Sequence, residues 1–165
     1  MRLRSYINDK DFEYVSKWVS DKRIHALWCA NLIPYPLSKE GLRVVLDKDA
    51  REWGGCAYTI TDDAGTPIGF FVYSINNVNN SGFLKFVVLD SDLRGKGLGT
   101  HMVGLILKYA FDITGVSEVH LNVFDVNIGA RKCYSNAGFI EKSIVKDAFT
   151  CENEQWGRCH MVAAQ

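Results

Sequence analysis

Two hydrophobic periods divide the chain into predicted helices and strands. Apolar residues at helical spacing, such as Phe12, Val15 and Trp18, are typical of the first part, while short apolar runs between polar turns are typical of the middle and the end. Helices are predicted from the cap signal Asn8–Asp9, over Asp21–Leu27, from Ser38 to about Lys48, over Gly97–Thr114 and over Asn127–Ala137. Strands are predicted over Leu3–Ile7, Cys56–Thr61, Ile68–Ile75, Gly82–Leu89, Val119–Phe124, Phe139–Ala148 and Glu154–Val162.

The segments between the predicted helices and strands have the composition of turns and loops. Residues 62–67 have the composition of a turn and predict a hairpin between the strands that flank them. Trp28–Leu37 contains two prolines and no clean period, and we interpret it as an ordered loop. Gly138 follows the last predicted helix in the position of a C′ glycine. No repeat or linker interrupts the chain, so its 165 residues predict a single domain, 1–165.

The strongest chemical signal is the glycine-rich junction between the strand that ends at Leu89 and the long helix that follows. It reads Arg94–Gly95–Lys96–Gly97–Leu98–Gly99. A helix start presents unpaired N–H groups and a partial positive charge that suit a phosphate, and glycines let the backbone approach the anion. The spacing fits neither the dinucleotide fingerprint nor a kinase-type P-loop. The alternative is a glycine-rich turn that only caps a helix.

Two blocks of the sequence resemble the GNAT acetyltransferase superfamily. The junction is similar to its [R/Q]-x-x-G-x-[G/A] loop, and the preceding Val87–Asp92 is similar to its splayed strand and the approach to that loop. A second block resembles the family pattern L-x-V-x-x-x-N-x-x-A-x-x-x-Y-x-x-x-G-F. Its matching residues are Leu121, Val123, Asn127, Ala130, Tyr134, Gly138 and Phe139. The layout further resembles the ribosomal-protein N-terminal acetyltransferases and the spermidine acetyltransferases.

The resemblance implies a fold and an activity. The expected fold is α/β (α+β), with a mixed, curved, mostly antiparallel sheet of six to seven strands and helices on both faces. The expected activity is acetyl-CoA-dependent N-acetyl transfer to a primary amine, which belongs to a small molecule or a protein N-terminus, by direct attack and without a metal. A non-catalytic acyl-CoA sensor on the same fold is the alternative from another class, and a plain structural protein is a third.

The same resemblance assigns roles to individual residues. The cofactor contacts it implies fall on Val87, Val88, Leu89, Arg94, Gly95, Lys96, Gly97, Leu98, Gly99, Thr100, Asn127 and Tyr134. The backbone N–H of Val88 would polarise the thioester carbonyl, as an oxyanion donor does. Tyr134 would protonate the leaving sulfur, because a phenol with a pKa of about 10 keeps its proton at neutral pH. Without the family motif, a core tyrosine and a helix N-cap at Asn127 are the ordinary interpretations.

The general base is not identified by the sequence. Some N-terminal acetyltransferases carry a glutamate at the position of Asn122, and spermidine-type relatives carry an acidic residue where this chain has Leu84 and Lys85. Neither carboxylate is present here. Another carboxylate, a water chain and an amine that binds already neutral remain open, and Asp125 and His120 are nearby candidates that a structural role would explain as well.

The acceptor site of the superfamily is built from the early helices and the final hairpin. By analogy, the candidate amine-binding residues are Trp28, Tyr35 and Trp156. Aromatic rings beside carboxylates can hold a cation, and the final hairpin supplies both kinds of residue. Its members are Phe149, Asp147, Glu152 and Glu154. Core edges and a solvated hairpin are the alternative interpretation.

The composition of the chain bears on which classes of partner and which compartment we expect. Lys+Arg and Asp+Glu are equal at 19 each, so the chain lacks the basic excess that is typical of nucleic-acid binding. Five scattered cysteines without a close pair favour reduced thiols over disulfides or a zinc site. No apolar signal core or membrane-length run is present, so we expect a cytoplasmic protein without a membrane partner. A homodimer is compatible with the resemblance, since dimers are common in the superfamily.

Overall fold

The protein, described here by a computed structural model that covers residues 1–165, contains seven strands and five α-helices. The strands are β1 (Arg2–Ser5), β2 (Cys56–Thr61), β3 (Pro67–Asn76), β4 (Ser81–Leu89), β5 (Glu118–Phe124), β6 (Ile140–Cys151) and β7 (Glu154–Ala164). The helices are α1 (Asn8–Trp18), α2 (Lys22–Cys29), α3 (Lys39–Trp53), α4 (Leu98–Lys108) and α5 (Ile128–Asn136). None of the helices is long and apolar enough to cross a membrane.

The strands form one sheet in the order β1-β2-β3-β4-β5-β7-β6. The β4–β5 pair is parallel, whereas β1–β2, β2–β3, β5–β7 and β6–β7 are antiparallel. The prediction of a mixed, mostly antiparallel sheet of six to seven strands is therefore confirmed. The ladder between β4 and β5 runs from Ser81↔Glu118 to Leu84↔Leu121, so the last five residues of β4 lie beyond its end.

Most predicted elements match the structure, and the helix boundaries that differ most are those of α3, α4 and α2. Helix α3 extends to Trp53 because Gly54, at φ +65°, supplies the C-cap, and the charged residues before it carry no apolar period. The long helix after the glycine loop is α4 followed by a π-helical segment, Tyr109–Thr114. Trp28 belongs to α2 rather than to the loop, because α2 continues to Cys29 and is capped by Ala30 in the left-handed conformation.

The predicted cap of α1 is also wrong. The N-cap residue is Ile7, and no side chain of Asn8 or Asp9 caps the helix. Instead Asp11, which is 1% exposed, accepts hydrogen bonds from the Ile7 backbone N–H (2.8 Å), from Arg4 (2.7 Å to each oxygen) and from Thr59 (2.8 Å). Burial disfavours the charge of Asp11, but these hydrogen bonds outweigh it and lower the pKa of the carboxyl.

By contacts, the chain consists of two compact units. The first comprises Met1–Ser74 and Lys85–Arg94. Its core joins the apolar faces of α1, α2 and α3 to β3 and to the end of β4. The buried members of this first-unit core are Val15, Trp18, Val19, Trp28, Cys29, Ile33, Leu42, Phe70, Val72 and Val88.

The second unit comprises Ile75–Leu84 and Gly95–Gln165. Helix α4 buries its apolar face there through Met102, Val103, Ile106 and Leu107, as its helical period predicts. The hairpin of β6 and β7 contributes an aromatic cluster in which Trp156 packs on Phe124 and Phe149 at centroid distances of 5.2 and 5.5 Å. This packing keeps the Trp156 side chain fully buried.

Candidate active site

The glycine loop of the second unit leads into α4 through two left-handed residues. Gly95 and Gly97 both have φ +76°, and a Cβ at either position would meet no atom within 4 Å. Glycine is therefore required by conformation and not by crowding. Gly97 is the N-cap of α4 and no side chain caps the helix, so the first-turn N–H groups are available to an exposed anion. The backbone leaves room for an anion at this helix start, and anion binding by the loop stays a prediction.

Arg94, the last residue of the first unit, forms hydrogen bonds with Leu89 at the end of β4. Its Nε and Nη2 groups donate to the carbonyl oxygen of Leu89 at 3.3 and 3.1 Å. Asp90 accepts from the backbone N–H of Asp92 (3.0 Å), while its own N–H donates to Ile68 (2.9 Å). These bonds fix the turn that leads from β4 toward the loop. Contacts of Arg94 and Lys96 with a pyrophosphate stay predictions.

The final residues of β4 combine burial with an unusual backbone. Val88 and Leu89 are buried, at 6% and 8% exposure. Two residues earlier, Phe86 has φ +50°, a left-handed conformation that costs a residue with a Cβ about 1–2 kcal/mol. The indole nitrogen of Trp28 donates to the carbonyl oxygen of Phe86 at 2.7 Å. Neither feature is visible in the sequence, since Trp28 and Phe86 lie 58 positions apart.

Asn127 and Tyr134, the two candidate site residues of the second family block, lie at the start of helix α5 and within it. Asn127 is the N-cap, and its Oδ1 accepts from the Ala130 N–H at 3.2 Å. Tyr134 follows seven residues later, two helical turns on and so on nearly the same face. Its ring meets Phe139 edge-on at 5.7 Å. Burial, and to a lesser degree the neighbouring Cys133, raise the pKa of Tyr134, so its hydroxyl is protonated at neutral pH.

Thr100, in the first turn of α4, faces α5. Its hydroxyl donates to the sulfur of Cys133 at 3.8 Å. This contact ties the start of α4 to the helix that carries Tyr134. Cofactor binding by Thr100 stays a prediction. The group that could make this contact is its backbone N–H in the first turn of α4.

The two candidate bases differ in their surroundings. Asp125 exchanges hydrogen bonds with Gly157: its Oδ1 accepts from the Gly157 N–H and its own N–H donates to the Gly157 carbonyl, both at 2.8 Å. A Cβ at Gly157 would stand 2.5 Å from Oδ2 of Asp125. The carboxylate is therefore packed against backbone as a structural bridge.

His120 belongs to a chain of polar side chains on β5 and β7. Its Nδ1 lies 3.0 Å from Nε2 of His160, and its Nε2 lies 2.8 Å from a carboxylate oxygen of Glu118. The two imidazoles are stacked, with 10° between their planes. Burial and the nearby His120 lower the pKa of His160. Asn122 is exposed and is paired with His160 across the ladder.

The three candidate amine-binding residues differ in access. Tyr35 is 45% exposed, and its hydroxyl donates to the Ser20 carbonyl at 3.0 Å. Trp28 is only 9% exposed, and Trp156 is fully buried with its indole nitrogen 2.9 Å from Glu154. Amine binding by all three stays a prediction, but only Tyr35 offers a substantially exposed ring.

Sequence reasoning missed a partly buried ion pair in the first unit. Lys85 of β4 and Asp49 of α3 are 2.6 Å apart, with side chains 19% and 12% exposed. The other Asp49 oxygen is buried without a hydrogen-bond partner. Lys85 is the single charge in an apolar strand, which was the only sequence signal of a buried partner, and no local rule could have selected Asp49.

Comparisons with known proteins agree with the fold. A chain of the spermidine N-acetyltransferase from Vibrio cholerae in complex with CoA and spermine superposes with a TM-score of 0.84 at 21% identity, over 99% of this chain and 95% of that one. A chimera of the Vibrio cholerae enzyme and hSSAT gives 0.80 at 19% identity, over 100% and 96%. At this identity the similarity shows a shared fold.

Sequence comparison gives the family. An N-acetyltransferase of Methanocaldococcus jannaschii that is described as uncharacterized is 33% identical over 87 residues, which span 50% of this chain and 38% of that protein. The model of the acetyltransferase (GNAT) family matches residues 18–139, which include the glycine loop and the Asn127–Phe139 block. The chain belongs to the GNAT acetyltransferase family.

Proposed function

We propose that the protein is an acetyl-CoA-dependent N-acetyltransferase that acts on primary amines. The carrying observation is the glycine loop, where two left-handed glycines open a helix start that no side chain caps. This donor set suits the pyrophosphate of coenzyme A, because its negative charge meets N–H groups and the positive end of the helix dipole. Family membership supports the same cofactor, and the Vibrio cholerae neighbour was solved with CoA.

The proposed reaction is direct transfer. The amine nitrogen bonds to the thioester carbon, the carbon–sulfur bond breaks, one amine proton is released and the sulfur receives a proton. The Val88 backbone N–H donates to the thioester oxygen as negative charge develops there. Tyr134 gives its proton to the sulfur, and its burial keeps that proton in place beforehand.

For the acceptor we propose small polyamines as the first class to test. The structural neighbours from Vibrio cholerae are spermidine N-acetyltransferases, and a half-exposed Tyr35 offers an aromatic face to an alkylammonium group. Peptide N-termini are the second class. A cytoplasmic location and a homodimer remain predictions.

A non-catalytic acyl-CoA sensor is the second candidate. It is favoured by Asn122, an amide that cannot act as a base, and by Asp125, whose carboxylate is engaged by the Gly157 backbone. A sensor needs the glycine loop but no route for the amine proton.

One experiment separates these candidates. Titration calorimetry measures acetyl-CoA binding, and a colorimetric thiol assay then follows CoA release with spermidine, aminoglycosides, amino acids and peptides. The enzyme proposal predicts binding together with thiol release that depends on at least one amine. Binding without release across the panel supports the sensor, and absence of binding refutes both. Gly97→Ala changes the loop that is proposed to bind acetyl-CoA, and it serves as the control that thiol release depends on the cofactor site.

A further inference from the structure

Strand β4 changes its backbone conformation at Phe86. A phenylalanine at φ +50° is rare, because its Cβ crowds the backbone in the left-handed region. Such a residue persists only where its surroundings hold it, and it is more frequent at functional sites than elsewhere. Val88, the proposed oxyanion donor, follows two residues later and is buried. The groups that hold Phe86 therefore bear on the direction of the Val88 N–H.

The Phe86 peptide is held by a side chain from α2. The Trp28 indole N–H donates to its carbonyl oxygen at 2.7 Å. The Trp28 ring also packs against the rings of Phe86 and Phe70, at centroid distances of 5.8 and 6.2 Å. The indole is buried within the first-unit core, so packing on several sides fixes the direction of its N–H. The neighbouring residue Lys85 is tied to α3 by the ion pair described above.

A planar trans peptide transmits this restraint along the strand. The carbonyl that accepts from Trp28 shares its plane with the N–H of Val87, so one hydrogen bond sets the direction of both groups. The only soft torsions between that plane and the next N–H are those of Val87, a β-branched residue in a strand. The orientation of the Val88 N–H is therefore coupled to the Trp28 hydrogen bond.

We propose that Trp28 is a positioning residue for acetyl transfer, whose indole N–H locks the Phe86 peptide and thereby aims the backbone N–H of Val88. This inference rests on the proposed function. It gives Trp28 a role through hydrogen bonding to the protein instead of contact with the amine. It predicts that a phenyl ring at this core position does not replace the indole.

The test removes the N–H and keeps the ring. Trp28→Phe retains an aromatic ring, and β-(3-benzothienyl)alanine at position 28 retains the ring system with sulfur in place of the N–H. We expect kcat to fall by about 10- to 100-fold in both variants, the scale of a small misplacement of a catalytic group. We expect the KM for acetyl-CoA to change little, because the glycine loop is intact. Trp18→Phe, which removes another buried indole from the same core, should keep kcat even where it lowers Tm.

The outcomes separate two failures. A wild type that binds acetyl-CoA but transfers to no amine refutes the proposed function, and the positioning role with it, before any variant is made. An active wild type whose folded Trp28 variants keep kcat within threefold overturns the positioning role alone. Equal losses of kcat in the Trp18 and Trp28 variants also overturn it, because they indicate a general effect of core packing.

Discussion

Replacing Gly97 by alanine measures what the glycine loop requires of its backbone. The new Cβ meets no atom within 4 Å, so its cost arises from φ +76° alone. That cost is about 1–2 kcal/mol for an L-residue. If the variant keeps the native conformation, it loses this amount in stability, which corresponds to roughly 2–4 °C of Tm per kcal/mol in a chain of this size. If the loop relaxes, acetyl-CoA binding has to restore the conformation, and the loss appears as affinity instead. The loss of unfolding free energy and the loss of binding free energy should therefore sum to about 1–2 kcal/mol. A loss of about 1.4 kcal/mol that falls entirely on binding raises Kd about tenfold.

Gly104 supplies the matched control. It lies inside α4, has no positive φ, and a Cβ there also meets nothing within 4 Å. Gly104→Ala should stabilise the protein by about 0.5–1 kcal/mol, because alanine is the better helix former, with Kd unchanged. Urea unfolding gives the stabilities and titration calorimetry gives Kd. A Gly97→Ala variant with wild-type stability and wild-type Kd would refute the conformational argument for the loop.

Three further predictions concern turnover, the pH dependence of stability and the melting temperature. Tyr134→Phe should lower kcat by about 10²–10⁴-fold, as loss of a general acid does, and leave acetyl-CoA affinity near that of the wild type; normal turnover would remove Tyr134 from the acid role. Asp11→Asn should cost about 3 kcal/mol of unfolding free energy at neutral pH, because it breaks a buried charge network with Arg4. The pKa of Asp11 is lowered in the folded state, so this contribution is complete above the unfolded pKa of about 3.9 and is lost as pH falls below it; urea titrations should show the two proteins converging in acid, and a constant difference would contradict the linkage. Gly157→Ala should destabilise the protein, since its Cβ would stand 2.5 Å from Asp125, and an unchanged Tm would show that the bridge is not needed.

The elements that the sequence predicted well are those with local causes. Ser38, Asp21 and Asn127 each precede a helix, and in the structure each accepts a hydrogen bond from the first turn. Gly138 has the positive φ that its C′ position predicts. The glycine loop was also identifiable, because its required conformation and the helix that follows are both encoded within a few residues.

The features that were missed depend on distant partners. Asp11, in the first turn of α1, accepts hydrogen bonds from Arg4 and Thr59, and Thr59 lies 48 positions away. Lys85 and Asp49 are 36 positions apart. The left-handed conformation of Phe86 contradicts the local preference of phenylalanine and is held by Trp28. Packing outweighs local propensity at such sites, and no spacing rule along the chain encodes it.

The amine must lose one proton in the proposed reaction, and the hydrogen bonds of Asp125 and His120 limit the routes by which that proton can leave. Asp125 is held by the Gly157 backbone on one oxygen and closely packed on the other. His120 has a partner on each ring nitrogen. If its Nε2 donates to Glu118, its Nδ1 accepts from Nε2 of a neutral His160, and the first free acceptor in the chain is then Nδ1 of His160. In that arrangement both ring nitrogens of His120 are engaged, so a proton that enters this chain does so through Nδ1 of His160; another carboxylate, a water chain and an amine that binds already neutral are the routes that avoid the chain.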